Sequence, residues 1–137
     1  MGSSGTWLAM CDTERMLSIE QLATHVEVMK NTTVAVDGEV LVLTVDDELT
    51  GRTAEIIVGA STEPHVALES EEIAESFAEG HPRQAEIAAA KARYEITWDL
   101  RAYDELGNPL LILGESLGRL TGAIIFDAYA GSFPFDP

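Results

Sequence analysis

Between Ser18 and Ala60 the spacing of apolar residues changes from the helical period of about 3.6 to the strand period of about 2. The stretch SIEQLATHVEVMKN carries Ile19, Leu22, Val26 and Met29 at helical spacing. Ser18 and Gln21 stand three apart, the spacing of a capping box in which each side chain satisfies a free amide of the other's backbone. An amphipathic helix is expected over residues 19–30, with Glu20, Glu27 and Lys30 on its outer face. From Thr32 the pattern alternates. TTVAVDGEVLVLTVDD holds two β-rich runs separated by Asp37-Gly38, a hairpin signal because both residue types tolerate positive φ. A third run, TAEIIVGA at 53–60, follows a polar turn around Asp46 to Gly51, so three antiparallel strands are expected here. No purely helical and no purely β architecture accommodates this switch.

The remaining elements follow the same two periods. TWLAMCD at 6–12 reads as a first strand after a small leader at 1–5. Pro64 interrupts the chain, and ESEEIAESFAEG then reads as a short helix over 71–79, with Ser70 as its N-cap and Ile73, Ala74, Phe77 and Ala78 on one face. Residues 83–90 are helix formers. RYEITWD alternates, with Tyr94, Ile96 and Trp98 in phase. Asn108 before Pro109 has the form of an N-cap followed by Pro at N1; Leu110, Leu113, Leu117 and Leu120 continue to Gly122, a C′ glycine. AIIFDAY reads as a last buried strand and 131–137 as an extended tail; Tyr129, Phe133 and Phe135 are expected to fold back over the sheet, the alternative being an apolar contact to a partner. A chain of 137 residues, 46% hydrophobic, suits one domain with a real core. The fold expected is a single α+β domain: a mostly antiparallel sheet of five or six strands with two or three helices packed on a face, a ferredoxin-like split βαβ being the closest common architecture.

Charge narrows the function. The net charge is −16, from 24 acids against 8 bases. Such a field opposes binding to nucleic acid and to anionic membranes, which need Lys and Arg to replace counterions. It attracts basic proteins. The acids are also clustered. Glu71, Glu75 and Glu79 stand four apart, a ridge that helices usually offset with a Lys or Arg at i+4, and no base occurs from Thr53 to Pro82. The dipole of a helix starting at Ser70 favours Glu71 and Glu72 but not Glu75 or Glu79. Glu71, Glu75 and Glu79 are therefore the leading candidates for a partner-binding surface, with Glu63, Glu69 and Glu72 in support.

No pattern for catalysis or cofactor binding stands out. GxxxxGK[ST], GxGxxG after a strand, GxSxG, HExxH, paired cysteines and an EF-hand loop are absent, so no cofactor, no metal and no catalytic residue is expected. His25 reads as a surface residue. His65 and His81 flank the acidic helix and, with Glu63 or Glu79, are the only candidates for an acid–base pair or divalent-metal site. Cys11, the single cysteine, sits beside Met10 and Leu8 as a buried small hydrophobe and suits a reducing cytoplasm. MGSSGT matches the loose N-myristoylation pattern, but a flexible leader explains it more simply. There is no secretory signal and no apolar run long enough to span a bilayer.

The region from Tyr94 through Asp127 has an alternating strand (YEITWD), a leucine-rich helix ending in LGRLTG, and a short strand (AIIFDAY). In this it resembles small bacterial proteins of the toxin-immunity kind. The resemblance implies a small, cytoplasmic, non-catalytic protein that binds a cognate toxin and blocks its active site, and it carries over no catalytic residue. With the charge, it points to an acidic protein-binding inhibitor of a basic toxin domain. The alternatives are a small-ligand-binding module, or a homo-oligomer formed through the Gly114/Gly118 helix face and the aromatic tail.

Overall fold

The computed structural model describes residues 4–27, 29, 31–47, 51–99 and 102–135, without the side chains of 103–105. Gly2 of the lipidation pattern and Lys30 lie outside the described residues. Six strands, β1 (Ser4–Cys11), β2 (Thr32–Asp37), β3 (Val40–Asp46), β4 (Thr53–Ser61), β5 (Ala92–Asp99) and β6 (Ile124–Asp127), form one sheet in the order β2-β3-β4-β5-β1-β6, every neighbouring pair antiparallel. The helices are α1 (Ile19–Val26), α2 (Pro64–Phe77), α3 (Gln84–Ala89) and α4 (Tyr103–Thr121). The class is α+β, as the alternating periods predict. Of a ferredoxin-like arrangement the fold shows one split βαβ: β5 and β6 run the same way, joined through α4, with β1 between them. No described helix is long and apolar enough to cross a membrane.

Helices lie on both faces of the sheet, not on one as expected. On the first face, Trp7, Ala9, Leu41, Leu43, Ile56, Val58, Tyr94 and Ile96 meet Ile19, Leu22 and Val26 of α1 and Leu106, Leu110, Leu113 and Leu117 of α4. The opposite face carries a smaller core, in which Leu8, Met10, Ile124 and Phe126 meet Ile73 and Ala74 of α2 and Ile87 of α3. That second core involves β1 and β6 alone. A central strand such as β1 is therefore apolar in both phases from Trp7 to Cys11, whereas β4 alternates between exposed and buried from Thr53 to Val58.

The capping box forms as the sequence predicts: the Gln21 amide donates to Ser18 Oγ (3.1 Å) and the Ser18 amide to Gln21 Oε1 (2.9 Å). The helix it starts is shorter than expected, ending at Val26. The Met29 amide bonds Val26 O, and Asn31 turns into the left-handed region (φ 57°), redirecting the chain into β2. In the hairpin the two-residue loop is Gly38-Glu39, one step later than Asp37-Gly38, since Asp37 pairs with Val40. Gly38 alone takes positive φ (64°), the demand of a II′ turn.

Strand β1 begins at Ser4, two residues early, with Ser4 and Gly5 pairing with Asp99 and Trp98 of β5; the Trp98 indole lies over Gly5, where any Cβ would collide with it. Helix α4 begins five residues before Asn108, with Pro109 in its interior. Leu106 is fully buried in phase with Leu110, Leu113 and Leu117. Burial of a leucine is worth ~2 kcal/mol, which offsets most of the ~3 kcal/mol penalty of an interior proline. Of the three aromatics expected to fold back, Phe133 and Phe135 do so and Tyr129 does not, being 73% exposed. Phe135 stacks edge-on against Trp7 (5.4 Å) over the space left by Gly114, and Phe133 lies against Phe126 (5.2 Å). The Gly114 side of α4 is thus taken by the chain's own tail.

Candidate functional site

The acidic segment is built differently from its sequence reading. Helix α2 starts at Pro64, with Glu63 as N-cap residue and proline at the first helical position, where its missing N–H costs nothing. Ser70 is no cap. It is fully buried, in phase with Val66, Ile73 and Ala74, and its Oγ has no hydrogen-bond partner. Those four positions form the sheet-facing stripe, and the stripe sets the helix start. Glu71 and Glu72 therefore sit mid-helix, beyond the first turn where the dipole would favour them; Glu63 holds that place. Helix α2 ends at Phe77, and the chain turns through Gly80 (φ 81°). Glu79 is thereby outside the helix, so the expected three-step ridge is a pair, Glu71 and Glu75, with Glu79 on the following turn.

Glu69 has a separate role. It receives a hydrogen bond from Arg93 Nη1 (2.9 Å), while Arg93 Nη2 lies 2.6 Å from Glu95. The Arg93 side chain is only 6% exposed. The acidic run is thus partly neutralised by a base from β5, remote in sequence. Arg93 is the residue that sequence reasoning missed. Its signal is its phase: on a strand whose Tyr94, Ile96 and Trp98 point to one core, Arg93 and Glu95 must share the other face. Glu63, Glu71, Glu72, Glu75 and Glu79 are all exposed. Leu68, at 64% exposure, stands among them on the outward side of α2.

At about 100° per residue, Glu72 falls on the same flank of α2 as Glu69, and Glu71 and Glu75 lie further round. The Glu69 flank faces Arg93 of β5, and past β5 toward β4. Helices α2 and α3 cover β1 and β6 and reach β5; among the described residues no helix lies on this face of β2, β3 and β4. Cross-strand register aligns Ala35, Val42, Ile57 and Thr97 in one row, Asp37, Val40, Gly59 and Glu95 in the next, and Thr33, Thr44 and Glu55 on the other side. Ile57 is 42% exposed at its centre. A hollow of about 550 Å³ opens at one end, lined in part by Thr44, Glu55, Ile57 and Thr97.

The histidines are not brought together. His65 lies exposed in the first turn of α2; His81 packs against Phe133 (4.9 Å), and its Nδ1 accepts the Arg83 amide (2.9 Å). Among the described residues no group of three His, Cys, Asp or Glu side chains is placed to hold a metal. Cys11 is buried, and burial, with the Asp12 charge beside it, pushes its thiol up to about 11, which keeps it protonated and unreactive at neutral pH. It borders a groove of about 470 Å³ that also takes in Arg15, Glu86, Lys91 and Thr121. The Glu86 carboxyl is held below its usual range by its hydrogen bonds to Arg83.

Comparison with protein-family models, curated proteins and solved structures finds no match to this chain.

Proposed function

We propose that this protein is a non-catalytic, acidic protein-binding inhibitor that neutralises a basic partner, in the manner of a bacterial immunity protein acting on a cognate toxin in the cytoplasm. One observation carries the reading. Glu63, Glu71, Glu72, Glu75 and Glu79 are exposed along α2 and its flanking turns, while Arg93, the base that bridges α2 to β5, is buried and engaged by Glu69 and Glu95. The exposed carboxylates add to a field of −16, which steers a cationic surface toward this side of the molecule. A toxin that acts on nucleic acid presents such a surface at its substrate cleft, and carboxylates spaced along a helix can stand where phosphates would.

The test is co-expression with the product of the adjacent gene. A stable complex and loss of toxicity are expected, with protection abolished by charge reversal at Glu71, Glu75 and Glu79 together. Absence of a complex, with protection unchanged in the triple variant, would remove the reading. A second reading is a homodimer through the half-sheet of β2, β3 and β4. Sedimentation of the protein alone tests it, and a monomer at every concentration would remove it.

A further inference from the structure

We propose that the uncovered half of the sheet, framed by Glu69 and Glu72 of α2, docks a cationic amphipathic helix supplied by the partner protein. This rests on the reading of the chain as an acidic protein binder, and it moves the centre of contact from the outer ridge of α2 to the sheet beside it.

The two halves of one sheet face are treated differently. Over β1 and β6, α2 and α3 form a helical layer on Leu8, Met10, Ile124 and Phe126. Over β2, β3 and β4 that layer is missing, yet the strands still present apolar side chains there: Ala35, Val40, Val42 and Ile57. From β2 to β5 the bare region is three strand spacings wide, about 14 Å, and from Thr33 to Asp37 it runs about 14 Å along the strands. A helix about 10 Å across fills that area with three turns. Such a helix would occupy the same layer as α2 and lie against the Glu69 and Glu72 flank.

The rim decides the chemistry of the occupant. Asp37 and Glu39 close one side, Glu55 stands at the opposite end of the rows, and Glu69, Glu72 and Glu95 close the α2 side; Arg93, the base on this face of β5, is buried beneath Glu69 and Glu95. An apolar centre inside an acidic frame is complementary to a helix with an apolar stripe flanked by Lys or Arg. A second copy of this chain would set acidic rim against acidic rim, between two molecules each carrying −16.

Gly59 supplies a clean probe. It lies in this face opposite Val40 and Glu95; a Cβ added there meets nothing within 4 Å, and its φ is not in the left-handed region. Gly59→Trp therefore blocks the face without disturbing the core, and Ile57→Lys places a repelling charge at its centre. The probe ligand is a synthetic Leu/Lys peptide with segregated faces, and its control is the same composition scrambled so that no apolar stripe forms. Amide chemical shifts of the full chain are followed on titration to about 1 mM peptide, the weak limit of specific recognition. The expected result is a shift of Ala35, Val42, Ile57 and Thr97 with the segregated peptide. Affinity should fall ~10-fold or more with the scrambled peptide and in each variant, while both variants keep the far-ultraviolet spectrum of the parent. Shifts confined to Glu71 and Glu75, equal for both peptides and both variants, would overturn this location and leave the acidic-binder reading in place. No binding of either peptide would overturn both. Dimerisation through β2 to β4 without peptide would assign the face to a second copy and overturn the proposal.

Discussion

Tyr94 joins the sheet to the start of α1 through a single hydroxyl, which accepts the Leu17 amide (2.7 Å) and donates to the Leu17 carbonyl. Burial pushes its pKa up to about 12, against the lowering effect of the Leu17 backbone. Tyr94→Phe leaves both Leu17 backbone groups unpaired, and urea unfolding should show a loss of ~1–3 kcal/mol. Cys11 and Tyr94 both weaken the fold at alkaline pH. Well below pH 9 both folded and unfolded chains hold these protons, and the two groups leave stability unchanged. Above it the unfolded chain releases the Cys11 proton first, at its ordinary 9.0, while the folded thiol holds it to about 11; Tyr94 repeats this from 10.0 to about 12. Stability therefore falls as pH rises through this window. Denaturation midpoints between pH 8 and about 11 should decline in the parent and decline less in Cys11→Ala.

At the scale of elements, α2 is where sequence and structure part most clearly. The sequence reading starts the helix after Ser70 as an N-cap, the structure starts it at Pro64, and the two starts predict opposite outcomes for one substitution. If Ser70 capped the helix, Ser70→Ala would destabilise by ~1 kcal/mol. As a buried mid-helix hydroxyl without a partner, it should gain up to ~1 kcal/mol on replacement by alanine, which has the higher helix propensity and buries no polar atom. A thermal melt decides the sign. Helix α4 gives the same lesson. Asn108-Pro109 has the local form of a helix start, but Leu106 completes a buried leucine stripe one turn earlier. Elements marked by strong periods were legible in the sequence: the hairpin strands, the Ser18 capping box and the leucine stripe; the tail phenylalanines were legible as groups packed on the sheet, where they are partly buried. What was not legible depends on contacts distant in the chain. The Trp98 ring over Gly5, the Arg93 bridge to Glu69, and the division of helices between two sheet faces are set by register and crossover. No local window contains them. The candidate glutamates were legible as an acidic cluster, but their separation into the Arg93-bound Glu69, the helical pair Glu71 and Glu75, and the turn residue Glu79 was not.

The whole molecule is asymmetric in both layers and charge. One sheet face carries α1 and α4, with Val36 at its β2 edge still 41% exposed; the other carries α2 and α3 over β1 and β6, and the acidic flank of α2 borders its uncovered half. Buried Arg93 couples the two, since it holds α2 beside β5 through Glu69. Arg93→Met would strand no buried charge of its own, but it releases Glu69 and Glu95 from their partner at the boundary of the half-covered face. The expected loss is ~1–3 kcal/mol of stability, with amide exchange increased first in α2 and not in α4. On the proposed function, this acidic side meets a cationic protein surface. The most direct measurement is the association rate with the adjacent gene's product as a function of ionic strength, for the parent and for the Glu71→Gln, Glu72→Gln, Glu75→Gln variant. Electrostatic steering predicts a rate that falls steeply with added salt and a shallower slope in the variant. A rate independent of salt and identical in the two proteins would contradict it.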